Sequence, residues 1–488
     1  MPLRSLSSTA AARRTGAIAR HMASSTPSPT SPQPDEAPVM FEENLASRRF
    51  ILNRPKKLNA LNTEMIDSIA SKTEAWGHSN LCGVIVGSSV GKAFCAGGDV
   101  AGIVELAAKE DTRAQAIDFF SREFGLDYAL ATLSKPYVAI MDGITYGGGV
   151  GLAAPALFRI ATERTGFSMP ETKIGYFPDV GASYYLSRLD GEIGTYLALT
   201  GAALSGRATF EHGFATHFIS SHRVPILLER LAAIENPTLI QIDNAIEELH
   251  YERESSDPVA PLTGAIRIAL DKAFQQDTVE GIFKKLREYA DGKADPVNAD
   301  VVQWAKDTLA MMEDRSPTSL KVALMAIRKG KKMSLLDALK MELGLASAYC
   351  SGVTPDFSTG VRAVLIDKIK TRPAWSPSDL TAVSISTLES QLFQPSAANL
   401  HLPERLQAEH DSPSHFLRFA LPSEEEIGKA VIGDHKSSGG SALTLDELVT
   451  KFEKLRRGKH GVAEKVNEVV KRRCTFQDKE GKYLRWKH

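Results

Sequence analysis

Two short stretches share one layout and restrict what this chain can fold into. KAFCAGGDVAG (92–102) and ITYGGGVGLA (144–153) each pass from an apolar, strand-like segment through consecutive glycines into a helical pattern. Gly97 and Gly98 in the first turn, like the three glycines of the second, permit backbone angles and close approach that a side chain would obstruct. Around these turns, from Val39 to about residue 220, short apolar runs alternate with helical patterns. RRFILN (48–53) ends at a proline, and CGVIVGSS (82–89) and PYVAIMDGI (136–144) are continuous apolar runs bounded by glycine. Such runs suit buried strands, and the helices between them predict an α/β architecture with crossover connections.

If each turn directs one backbone N–H into a shared cleft, the pair can hold a carbonyl oxygen that becomes negative during reaction, helped by the helix dipole behind the second turn. Either turn alone is better explained as a tight strand-to-helix connection, and neither has dinucleotide-binding or P-loop spacing. Downstream, MPETKIGYFPDVGAS (169–183) places Glu171 and Asp179 in a run otherwise apolar, glycine-rich or small, with a proline before each acid and Lys173 the one cation. Taken singly, Glu171 also reads as an N-capping or salt-bridged acid, and Asp179 as a turn residue after Pro178.

AFCAGGDV, GITYGGGVGLA and MPETKIGYFPDVGASYYL, in that order, resemble the crotonase (enoyl-CoA hydratase/isomerase) superfamily, and within it the 3-hydroxyisobutyryl-CoA hydrolase branch. ILNRPKKLNALN (51–62) is similar to the family's opening strand and loop, and GVRAVLIDK (360–368) to its closing helix. The resemblance covers about residues 40–393 and implies a crotonase-like spiral of ββα units followed by a helical region. It assigns Gly98 and Gly148 to the oxyanion-hole positions, Glu123 (in FSREFGLD) to a substrate contact, and Glu171 and Asp179 to the catalytic acids. The implied activity is hydrolysis of a short 3-hydroxyacyl-CoA thioester in valine breakdown, with coenzyme A as part of the substrate and no separate cofactor. Hydratases of the superfamily carry a second glutamate where this chain has Gly151, which cannot transfer a proton, so hydrolysis is favoured over hydration. Glu171 would attack the thioester or activate water, and Asp179 would orient the substrate or serve the leaving thiolate. Lys56, Lys57 and Lys368 are candidates for the phosphates of CoA, against the commoner role of solvated surface lysines. Cys95, inside the first turn, has no flanking His–Asn/Asp pattern and reads as a small buried side chain.

Beyond these motifs the chain divides into residues 1–38, a leader and linker; 39–235, the catalytic core; 236–393, a helical part; and 394–488, a linker followed by a basic helical extension. The first 34 residues hold Arg4, Arg13, Arg14 and Arg20 with many Ser, Thr and Ala and no acid, the composition of a mitochondrial transit peptide. SPTSLKVALMAIRKG (316–330) predicts a helix capped by Ser316 with Pro317 at its first position, SLLDALKMELGLASAYC (334–350) predicts another, and Thr444 with Glu447 has capping-box spacing. Residues 451–488 hold thirteen Lys/Arg against five Asp/Glu, a net of +8, interleaved with Phe476, Tyr483 and Trp486. That mixture can contact phosphates and stack on exposed bases. A relative of the hydrolase family belongs to the mitochondrial small ribosomal subunit in some lineages, so the resemblance admits a ribosome-associated role; an accessory appendage packed on the hydrolase is the other reading.

Over 488 residues, a net charge of −1 argues against general affinity for nucleic acid or membrane. Residues 138–158 carry Asp142 and five glycines, a poor membrane span. Four scattered cysteines suit reduced thiols, and twelve histidines show no metal-binding spacing. Oligomeric state stays open, since related folds form trimers while a long helical region can cover the same surface.

Overall fold

The computed structural model describes residues 37–254, 257–406, 416–437, 442–476 and 482–487. The arginine-bearing leader read in the first 34 residues lies outside the described residues. An antiparallel hairpin, β1 (Val39–Asn44) and β2 (Ser47–Leu52), and helix α1 (Thr63–His78) open the fold. The chain then advances in repeated units. β3 (Val84–Ser89) and β4 (Ala93–Cys95) lead to α2 (Val100–Ala107) and α3 (Arg113–Ala131); β5 (Tyr137–Met141) and β6 (Ile144–Tyr146) lead to α4 (Gly148–Ala153). β7 (Phe158–Ala161) and β8 (Gly166–Ser168) lead through a 3-10 turn (Glu171–Ile174) to α5 (Ala182–Tyr185) and α6 (Ile193–Thr200), and β9 (Leu204–Ser205), α7 (Gly206–Glu211) and β10 (His217–Phe218) follow.

The first strand of each unit enters a sheet ordered β1-β2-β3-β5-β7-β10, and the second enters a sheet ordered β4-β6-β8-β9. The expected ββα spiral is thus present. PYVAIMDGI does not stay one strand: Gly143, at φ +132°, breaks it and sends β5 and β6 into different sheets. Central strands are mostly apolar because both faces are covered, with Arg159 of β7 a buried charged exception. Val84, Val86, Val138, Ile140, Phe158 and Ile160 pack with Leu227 and Leu231 of α8 (Val224–Ala233) and Ile242 and Ile246 of α9 (Leu239–Glu247). The alternate residues Ile85, Tyr137, Ala139, Met141 and Ala161 point into the main core.

Helices α10 (Gly264–Phe274), α11 (Val279–Ala290), α12 (Ala299–Glu313), α13 (Pro317–Gly330) and α14 (Leu335–Cys350) form the helical region. Ser316 caps α13 by accepting from the Ser319 N–H at 3.0 Å, with Pro317 at the first position, and Ser334 caps α14 from the Asp337 N–H at 3.1 Å. Among the described residues no helix is long and apolar enough to cross a membrane.

Residues 394–406 run as a strap along α3. Ser121 Oγ donates to Asn399 O (2.6 Å), the His401 N–H donates to Ser121 O (3.1 Å), and Arg405 reaches Glu74 and Thr132 O. A Cβ at Gly125 would collide with the His401 carbonyl, so a glycine there lets the strap touch the helix. Beyond it come α15 (Glu424–Ile432), α16 (Leu445–Leu455), with its Thr444/Glu447 capping box, α17 (Val462–Arg473), and a hairpin of β11 (Cys474–Phe476) and β12 (Leu484–Trp486). Much of this segment's positive charge is paired: Lys459 with Glu247, Lys465 with Asp190, Arg472 and Arg473 with Glu424 and Asp271. Phe476 and Tyr483 are exposed, while Trp486 lies against Gly428.

Arg159 ties this segment to the core without an acid. Fully buried, it donates to the carbonyls of Phe214 (2.5 Å), Ala156 (2.6 Å) and Phe416 (2.6 Å), and burial pulls its pKa down to about 9. Arg159→Leu would strand three buried acceptors, each worth about 1–3 kcal/mol. A loss of about 3 kcal/mol in urea unfolding is expected; an unchanged midpoint would remove Arg159 as the anchor.

Candidate active site

The two glycine turns meet because the strands that precede them pair in parallel, Ala93 opposite Ile144 and Cys95 opposite Thr145. Gly97 takes φ +105° and Gly147 φ +49°, conformations suited to glycine. Leu61 brackets the first turn: its N–H donates to Gly97 O (2.8 Å) and its carbonyl accepts from the Asp99 N–H (2.9 Å). The Gly98 N–H between them donates to no backbone carbonyl among the described residues, and neither does the Gly148 N–H, the first of α4. A Cβ on Gly148 would lie 3.3 Å from the Gly98 nitrogen and would strike Glu123 Oε1; one on Gly147 would lie 2.7 Å from Glu171 Oε1. Both open amides and both glutamates therefore border one small region.

The carboxyls come from separate elements. Glu123 projects from α3, Glu171 opens the 3-10 turn after β8, and Asp179 lies on the next turn; they are 3%, 7% and 5% exposed. Glu123 Oε1 and Glu171 Oε2 are buried without a hydrogen-bond partner. Burial pushes Glu123 and Glu171 each up to about 8. Burial, reinforced by Glu123, Glu171, Glu342 and Asp127, pushes Asp179 well above the usual carboxylate range. Unsolvated, unpaired acids of this kind are costly and are expected where a ligand will meet them.

Gly98, Gly148, Glu123 and Glu171, all assigned from sequence, thus fall together, and Asp179 lies near enough to both glutamates to feel their charge. Lys56 and Lys57 are exposed on a loop joined to the first glycine turn by the Ala96 N–H to Leu58 O bond (3.0 Å), and Lys368 is exposed after the closing helical turn. The Cys95 thiol is buried and pushed up to about 12, an inert small side chain.

Two acids were missed. Asp127 lies one helical turn beyond Glu123, and Oδ2 has no partner. A Cβ on Gly151 would fall 2.9 and 3.0 Å from its two oxygens and 2.7 Å from Val180 Cβ. The place beside Gly151 is therefore not free of acid: the carboxyl there arrives from α3. The i, i+4 spacing in FSREFGLD carried that signal. Glu342, on α14, accepts from the Gly181 N–H (2.6 Å), the Ser183 N–H (3.0 Å) and Ser183 Oγ (2.5 Å). Burial pushes it up to about 7 against those hydrogen bonds. No local pattern announces it.

Folding also gathers His217, Asp243, Glu247, His250 and His460 at the seam with the C-terminal segment. Lys459 already occupies Glu247, and the His250 and His460 rings stack 4.4 Å apart at 5°, so their lone pairs cannot converge on one ion. This cluster acts as a polar seam.

A ββα spiral whose paired glycine turns present open amides to buried carboxyls defines a crotonase-like α/β protein. The Enoyl-CoA hydratase/isomerase family model matches residues 47–392, and the chain belongs to that family. It is 38% identical to the mitochondrial 3-hydroxyisobutyryl-CoA hydrolase of Rattus norvegicus over 78% of this chain and 93% of that protein. It is 37% identical to small ribosomal subunit protein mS47 of Neurospora crassa over 92% of this chain and 88% of that protein. Among solved structures, a carnitinyl-CoA dehydratase from Mycobacterium thermoresistibile superposes with a TM-score of 0.66 at 30% identity, covering 77% of this chain and all of that one.

Gly151→Val would drive new carbons into Asp127 and Val180. Overpacking of this kind costs about 1–3 kcal/mol, so the variant's denaturation midpoint should fall accordingly; an unshifted midpoint would show that the contact yields freely.

Proposed function

We propose that this chain hydrolyses the thioester of 3-hydroxyisobutyryl-CoA, or of a close 3-hydroxyacyl-CoA, to the free acid and CoA in mitochondria, as a step of valine breakdown. The observation that carries this reading is the pair of open amides at Gly98 and Gly148 bordered by the unpartnered carboxyls of Glu123 and Glu171. The names and locations of the hydrolase relatives support it.

The two amides polarise the thioester carbonyl and stabilise the tetrahedral oxyanion, an arrangement in which each donor is worth about 10²–10³ in rate. Glu171 supplies the reacting carboxylate, as nucleophile or as general base on water. Asp179, held protonated, orients the acyl hydroxyl and delivers a proton to the departing thiolate. Glu123 contacts the hydroxyacyl end. Coenzyme A enters as part of the substrate, and the chain's own groups complete the reaction. A single turnover in ¹⁸O water tests the anhydride route: label captured in the Glu171 carboxylate marks an acyl anhydride opened by water at the glutamyl carbonyl.

A second reading, a structural component of the mitochondrial small ribosomal subunit, is favoured by one observation. The match to mS47 extends over 458 residues, past residue 392 where the family model stops. Co-sedimentation with mitochondrial small subunits through high salt would support it, and release at moderate salt would not. Hydration or isomerisation of an enoyl-CoA is the third reading, and crotonyl-CoA hydration exceeding thiol release would promote it.

Glu171 must shed its proton to act, so kcat/KM should rise with pH through about 8. It should fall again at higher pH as Asp179 ionises. A flat profile between pH 6 and 9 would count against these assignments. Stability runs the other way. A carboxyl whose pKa climbs on folding favours the folded state less as pH rises from about 4, its unfolded value, toward its folded value. Glu171→Gln has no such loss. It should abolish thiol release from 3-hydroxyisobutyryl-CoA, yet exceed the parent in stability at pH 8 by at least about 1 kcal/mol. A variant both active and no more stable would overturn the catalytic role.

A further inference from the structure

The turn that carries Asp179 is held in place from 160 residues away. Val180 and Gly181 follow Asp179 with φ of +53° and +81°, two successive left-handed residues. Gly181 tolerates that conformation; a β-branched valine does not adopt it without strain. Strain of this kind persists only where neighbouring groups over-determine the backbone. Val180 is fixed on its side-chain face by bare Gly151, where an added Cβ would lie 2.7 Å from it. On the backbone face the constraint is Glu342, whose two oxygens take the Gly181 N–H (2.6 Å), the Ser183 N–H (3.0 Å) and the Ser183 hydroxyl (2.5 Å). Glu342 is fully buried, and among the described residues no lysine, arginine or histidine pairs with it. A buried carboxylate answered only by one turn's donors gives that turn a single geometry, because any shift leaves the charge unsatisfied.

We propose that Glu342 is a positioning residue for the reaction: it clamps the strained Val180–Gly181 turn and thereby fixes the carboxyl of Asp179. The proposal rests on the thioesterase reading above and assigns the helical region a part in the site.

Among the described residues no lysine, arginine or histidine pairs with Asp179 or Glu342. Asp179 meets Glu123 and Asp127 from α3, Glu171 and Tyr176 from the segment after β8, and Glu342 from α14; Glu342 also faces Asp127, Tyr185 and Ser183. A negative Glu342 therefore adds to the field that keeps Asp179 protonated, so its loss has an electrostatic signature that simple loosening of the fold lacks.

The test uses the full chain carrying Glu342→Gln, Glu342→Asp or Ser183→Ala. In the thiol-release assay Glu342→Gln should lower kcat by about 10² or more, with KM within about twofold of the parent. It should also move the alkaline limb of the pH profile to lower pH. Ser183→Ala keeps the charge and both backbone bonds, so its limb should stay in place and its kcat should fall less than about tenfold. Glu342→Asp, which restores the charge on a shorter arm, should recover the limb. An independent readout is the carboxylic-acid C=O infrared band that disappears in Asp179→Asn: its titration should shift downward in Glu342→Gln, whether or not the assay detects turnover. If Glu342→Gln fails to fold, Glu342→Asp decides: its shorter arm should lower kcat while the band stays in place, and an undiminished kcat in Glu342→Asp would overturn the clamp. So would a Glu342→Gln enzyme whose activity falls only with its folded fraction and whose limb does not move. A parent protein that releases no thiol would sink the thioesterase reading alone, while the infrared titration would still decide the clamp.

Discussion

Parallel pairing of β4 with β6 is the constraint from which the site follows. Each strand ends in a glycine turn, and the register of Cys95 opposite Thr145 leaves those turns side by side, with Gly98 and Gly148 within van der Waals reach. Neither amide can be satisfied locally: Leu61 has taken the groups flanking Gly98, and Gly148 stands where a helix begins. An unpaired N–H is destabilising unless water or another acceptor meets it. The fold maintains the two open amides because the surrounding strands and helices leave the backbone no alternative path.

Opposite these donors the chain gathers Glu123, Asp127, Glu171, Asp179 and Glu342, and among the described residues no basic side chain pairs with any of them. Like charges in low dielectric cannot all ionise, so the cluster holds protons at neutral pH and releases them one at a time. Proximity to two open amides singles out Glu171 and Glu123, whereas Glu342 is spent on a turn. An acid that spends its hydrogen bonds on backbone donors is a structural clamp; a bare oxygen beside the open amides, as on Glu123 and Glu171, leaves an acid ready to meet a ligand. That distinction, more than any pKa, separates the roles inside a crowd of carboxyls.

The glycine turns and the strand runs were legible because each is written in a few adjacent residues, and the candidate acids Glu123, Glu171 and Asp179 because the motifs that hold them resemble a known family. The capping residues Ser316 and Thr444 were legible too, because a cap is chemistry between neighbours. PYVAIMDGI misled as one strand because hydrophobicity continues across Gly143 while the backbone turns there, and an apolar run does not report which sheet it enters. Asp127 was half visible, four residues from Glu123 on the same helix face, but its destination beside Gly151 depends on how α3 crosses α4. Glu342 was invisible, since nothing around it in α14 marks it as the partner of a turn so far away in sequence.

The C-terminal segment changes meaning once its charges have partners. Read as a string, residues 451–488 look like a cationic surface; folded, Lys459, Lys465, Arg472 and Arg473 meet Glu247, Asp190, Asp271 and Glu424, and exposed Phe476 and Tyr483 stand apart from those pairs. The strap that begins this segment touches α3 at Ser121 and Gly125, on either side of Glu123 in sequence. The helix that supplies two of the buried acids is therefore gripped on its outer side by residues beyond the family match, so any partner that pulled on the appendage would pull on the helix that positions Glu123.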